Sequence, residues 1–92
     1  MTYQSEAIVS KTVLKTGSGS VTLFAFAEGE SLTEHTTAQN ALAVIMEGTA
    51  EISISGEVHT VTGGELILLP AGEPHALKAV SAFKMLLVMI QD

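Results

Sequence analysis

The chain has 92 residues, 47% hydrophobic and 15% charged, with a formal net charge of −6 and no cysteine. That length allows one domain with a small core, one that buries only about 60–65% of the unfolded surface. Lack of cysteine excludes disulfides and thiolate chemistry, and the four lysines (Lys11, Lys15, Lys78, Lys84) are too scattered to replace phosphate counterions, which argues against nucleic acid and acidic membrane surfaces as partners.

So small an interior cannot hide this much apolar surface, so a homodimer is expected to cover part of it. No uncharged apolar run of about 18 residues is present, and no membrane-spanning helix is expected. The segment Met1-Thr2-Tyr3-Gln4-Ser5-Glu6 lacks the basic start and apolar run of a signal peptide, which makes the cytoplasm the expected location.

Turn signals recur about every 8–12 residues, as in sandwiches and barrels. Residues 6–15 carry Ile8, Val9, Val13 and Leu14 and predict one or two short strands, so that 1–19 form an N-terminal strand or arm before a barrel core at about 20–90. Thr16-Gly17-Ser18-Gly19-Ser20 predicts a flexible turn, and residues 21–27 a strand with Thr22, Phe24 and Phe26 on one face. A turn at Glu28-Gly29-Glu30 leads to a strand over 31–37, where alternation puts His35 and Thr37 together and aims Glu34 away. An uninterrupted apolar strand follows at 42–46, then a break at Glu47-Gly48. Residues 49–55 alternate with Ile52 and Ile54 inward, Ser55-Gly56-Glu57 makes a hairpin turn, and 58–62 pair back with His59 and Val61 on the inward face. The last strands are predicted at 76–80 and 83–90. Segments 42–46 and 86–90 are apolar on both faces and should be buried on both sides, by the barrel interior and by a second subunit or a covering segment. No convincing helix is present, so the fold class is all-β, closed or double-sheeted.

The most structured stretch is 63–77. A double glycine opens a short apolar strand, Pro70, Gly72 and Pro74 make a stiff turn, and His75 follows, a side chain that can ligate metal or move a proton. Gly64, Pro70, Gly72 and His75 stand at the spacing of the second cupin motif, with Ala79 where that motif has asparagine. Gly29, His35 and Gly48 fit the first motif, with Thr37 at its second histidine and Ala41 at its glutamate. On these residues the chain resembles a small single-domain cupin with a reduced first motif. The resemblance spans roughly residues 20–90 and implies a jelly-roll β-barrel.

In that family two histidines and a glutamate join the second-motif histidine around a divalent metal. Here the resemblance leaves His35 and His75 as metal ligands, a pair that would hold zinc, nickel or copper weakly and manganese or iron poorly. His59 is a third candidate if its strand brings it close. Asn40 could offer an amide oxygen, and Thr37 could bond a metal-bound water. The alanines at 41 and 43 leave space, so an apolar pocket with a polar end at His35, His75 and Thr37 is expected. Three functions follow. The first is a barrel that binds a metal or a small molecule. The second is a metal-dependent enzyme of dioxygenase, isomerase or decarboxylase type. The third is a structural dimer in which the two histidines bond each other and are sealed from solvent.

Overall fold

The computed structural model describes residues 1–91 and forms nine strands among them. They are β1 (Ile8–Thr16), β2 (Gly19–Phe26), β3 (Ser31–His35), β4 (Asn40–Glu47), β5 (Thr49–Ile54), β6 (Glu57–Thr62), β7 (Leu66–Leu69), β8 (His75–Ala79) and β9 (Phe83–Ile90). Five make one antiparallel sheet in the order β1-β2-β9-β4-β7, and four make the other in the order β3-β8-β5-β6. The sheets face each other as a jelly-roll, and the long-range pairs, such as β2 with β9, close it. No helix among the described residues is long and apolar enough to cross a membrane.

Period-two alternation decides what fills the interior. Ala41, Ala43 and Ile45 from β4 meet Phe26 from β2, Phe83 and Met85 from β9, and Ala50, Ile52, Leu77 and Ala79 from the smaller sheet. Phe26 and Phe83 are register partners and stack with ring centroids 4.4 Å apart, filling the end of the barrel where β8 finishes. The other end, where β8 begins, carries the histidines.

Two glycines are required by the backbone. Gly48 joins β4 to β5 at φ +83, and Gly72 takes φ +79 in the proline turn, conformations a Cβ disfavours. Strand β1 is one strand with an irregularity between Thr12 and Leu14, rather than two short strands. On β3 the strand stops at His35, two residues earlier than alternation alone predicts, so Thr37 lies in the connection. Ahead of β1, Tyr3 donates its phenol hydrogen to Glu47 Oε2 (2.8 Å), and Lys84 Nζ lies 5.1 Å from the Tyr3 ring centre. The N-terminal residues are thereby strapped across one end of the larger sheet, where Lys84 is the register partner of the fully buried Ala25.

Candidate functional site

Pairing of β3 with β8 places His35 directly opposite His75, after a register shift between Leu32 and His35. An irregularity of this kind re-aims the side chain that follows it. The rings meet edge to face, with centroids 4.4 Å apart and planes at 67°. On the other flank of β8, Ile54 of β5 is the register partner of His75 and supplies an apolar wall.

Each ring is oriented in the same way. The Nδ1–H of His35 donates to the carbonyl oxygen of Thr33 (2.9 Å), and that of His75 to the carbonyl of Glu73 (3.3 Å). A carbonyl can only accept, so each Nδ1 carries the proton and each neutral ring keeps its lone pair on Nε2. His35 is exposed and His75 is 4% exposed. Among the described residues no side-chain nitrogen or oxygen is both shut from solvent and unpartnered, so His75 Nε2 retains an outlet to solvent. Burial, followed by the nearby charge of His35, holds the His75 imidazole below its ordinary pKa, against the opposing pull of the Glu73 carbonyl. Its neutral, ligating form is therefore favoured.

The turn that carries His75 is tied down on several sides. Gly72 N–H donates to the Thr37 carbonyl (2.9 Å), Ala71 N–H to Asn40 Oδ1 (2.9 Å), and Ser55 N–H to the Pro74 carbonyl (2.8 Å). Ser55 also donates through its hydroxyl to the Glu73 carboxylate (3.1 Å). Glu73 thus holds the turn with its side chain and orients His75 with its carbonyl.

The structure brings His35 and His75 together and leaves the other candidates elsewhere. His59 does share the inward face with Val61, but in register it stands level with Ile52, not with His75, and strand β5 separates β6 from β8. Its Nε2 lies 3.7 Å from Glu57 Oε1. Asn40 does not turn inward, because its amide oxygen is occupied by Ala71 N–H. Thr37 donates its hydroxyl to the Gln39 carbonyl (3.0 Å) rather than toward the histidines. Ala41 and Ala43 belong to the packed core, flanked in register by Leu69, Met89, Ile67 and Leu87, which occupy the room expected beside them. Among the described residues no third His, Cys, Asp or Glu joins the pair. Sequence reasoning missed the carbonyls of Thr33 and Glu73. Each lies two residues before its histidine, and that spacing acquires meaning only once both strands are paired.

Comparison with known proteins gives the same frame. A family model described as Cupin domain matches residues 22–90. A conserved protein of unknown function from Streptococcus pyogenes is 36% identical, with a TM-score of 0.92 over 97% of this chain and 78% of that one. A Cupin 2 conserved barrel domain protein from Leptotrichia buccalis is 34% identical, with a TM-score of 0.95 over 99% of this chain and 44% of that one. Among curated proteins, a 5-nitrosalicylic acid 1,2-dioxygenase of Bradyrhizobium sp is 34% identical over 64 residues, which is 70% of this chain. The match spans 31% of that relative's length.

Proposed function

The chain belongs to the cupin family, and from that premise we propose that His35 and His75 hold a divalent transition metal whose remaining positions take a small oxygen-chelating molecule. The observation that carries this reading is the matched tautomer of the two rings, with both Nδ1 hydrogens committed to backbone carbonyls and both Nε2 lone pairs left for a ligand. Orientation of a metal-binding imidazole through its second nitrogen is the usual support for such a site.

The donor set suits the group. Two imidazoles favour zinc, nickel or copper over manganese, and they leave two or more positions for oxygen donors. A bound metal would supply Lewis acidity toward a chelated oxygen. The residues of the chain do the rest. His75 stays neutral through burial, Ile54 keeps one side of the pair apolar, and the turn fixed by Asn40, Thr37 and Ser55 holds His75 in place. The rings make an edge contact without a hydrogen bond between them, which favours this reading over a sealed structural pair.

A second reading, a metal-dependent dioxygenase, is favoured by one observation, the relative whose named substrate is an aromatic hydroxy acid. Because the match covers less than a third of that protein, the binding function is put first.

The test uses protein purified without a histidine tag, titrated with nickel and with zinc and followed by calorimetry and metal analysis. One metal per chain is expected, with affinity at least ~10-fold weaker in His35→Ala and His75→Ala. Salicylate should raise the melting temperature of the metal-loaded protein and not of the His75→Ala variant. Trace metal that does not change in His75→Ala would sink the proposal.

A further inference from the structure

The loop between β5 and β6 is two residues long, because Ile54 pairs with Glu57. Both loop residues take positive φ, Ser55 at 49 and Gly56 at 83, which makes the turn type I′. Such a turn takes asparagine, aspartate or glycine at its first central position, where the left-handed backbone tolerates them best. Serine is a strained choice there. Among the described residues one other non-glycine residue has positive φ, Glu6, and it lies ahead of β1. Strain held at a single position points to something its side chain does.

Ser55 grips the turn that carries His75. Its N–H donates to the Pro74 carbonyl (2.8 Å) and its hydroxyl to the Glu73 carboxylate (3.1 Å). The two residues that precede His75 are therefore both held from the tip of the β5–β6 hairpin. The two histidines differ in how much they depend on such a hold. His35 donates over 2.9 Å to Thr33, which stands in the same strand. His75 donates over 3.3 Å to Glu73, which stands in the turn ahead of β8. That length lies just past the usual range for N–H···O, so a small shift of Glu73 breaks the bond.

We infer that Ser55 is a positioning residue for His75: acting through Glu73, it fixes the ring with its proton on Nδ1 and its lone pair on Nε2, and the hairpin turn is left strained. Neutral imidazole exists in two tautomers, and a bond from Nδ1–H selects the one that offers Nε2 to a metal. The consequence for metal affinity rests on the metal-binding reading of the two histidines, whereas the ring orientation belongs to the metal-free protein.

Variants at the two ends of the contact separate positioning from stability. Ser55→Gly relaxes the turn and removes the hydroxyl. Its melting temperature should equal that of wild type or exceed it by up to about 5 °C, while nickel affinity falls about 3- to 10-fold. Ser55→Thr keeps the hydroxyl on a backbone that a β-branched residue tolerates worse. Its melting temperature should fall by about 4–8 °C with affinity near wild type. Glu73→Ala should match the affinity loss of Ser55→Gly, and the double variant should lose no more than either alone. Proton–nitrogen correlation spectra of the metal-free protein at about pH 8, where imidazole is neutral, report the tautomers directly. His75 should carry its proton on Nδ1 in wild type and become a mixture in Ser55→Gly and Glu73→Ala, with His35 unchanged in both. A wild-type His75 already mixed between tautomers overturns the proposal, as does a His75 spectrum unaltered in Ser55→Gly. Additive losses in the double variant overturn it too, and so do stability and affinity that fall together in both Ser55 variants. A wild type that binds no nickel defeats the metal-binding reading instead, and the metal-free spectra then decide the positioning by themselves.

Discussion

Replacing Gly48 with alanine isolates how the β4–β5 junction is built. Two costs add at this position. An alanine at φ +83 sits in the left-handed region, at about 1 kcal/mol. Its Cβ would also strike the Ala82 carbonyl oxygen and lie 2.7 Å from Phe83 Cα, contacts with backbone that cannot swing aside. Overpacking of this kind costs ~1–3 kcal/mol, giving about 2–4 kcal/mol together. A domain of this length holds roughly 5–14 kcal/mol in all, and each kcal/mol moves the melting temperature by about 4–8 °C. Gly48→Ala should therefore lower the midpoint by about 10–30 °C. Gly56→Ala is the matched control, because Gly56 has the same φ of +83 with nothing within 4 Å of the added carbon. Thermal melts should put that variant only about 4–8 °C below wild type. Equal losses in the two variants would refute the steric part of the argument, and no loss in Gly56→Ala would refute the conformational part.

Acid and alkaline stability should fail at different groups. His75 has a lowered pKa when folded, so its contribution is complete above the unfolded value of 6.5 and is lost as pH falls through the folded value. Urea midpoints should therefore decline below pH 6.5, and His75→Gln should flatten that decline; an unchanged slope would count against burial as the cause. Tyr3 is pushed up to about 12, by burial first and then by its bond to Glu47, so stability should fall as pH rises from 10 toward 12, and Tyr3→Phe should lack that loss. Asn40→Ala removes the acceptor for Ala71 N–H at an exposed site, and should cost about 0.5–1.5 kcal/mol by denaturant titration. Its metal affinity should fall far less than that of His35→Ala, since Asn40 steadies the turn; an equal fall would make it a ligand after all.

Much of the fold was legible in the residues. Alternation in 49–55 and 58–62, the double glycine at 63–64 and the proline turn place β5, β6, β7 and β8 within a residue or two of where they stand. These signals are local, since each strand's two faces and each turn's φ are chosen by neighbours in the chain. The histidine of the turn and the apolar character of 42–46 and 86–90 were equally visible.

What only the tertiary structure decided is which distant residues meet. His35 faces His75 because β3 and β8 pair in one register, and no local rule sets a long-range register. His59 lies on the inward face as alternation says, yet one intervening strand and an offset of two residues along it, from Ile52 to Ile54, keep it from the pair. Asn40 spends its amide oxygen and Thr37 its carbonyl on N–H groups that come near only when the 70–74 turn folds over the start of β4, while the Thr37 hydroxyl donates locally to the Gln39 carbonyl. Residue types and alternation by themselves determined an all-β, closed or double-sheeted fold, and the resemblance carried by the motif residues added the jelly-roll with His35 and His75 at the motif positions. Packing determined that no third His, Cys, Asp or Glu among the described residues joins those two, because the sheet order set the distance between strands and the backbone claimed the Asn40 amide oxygen.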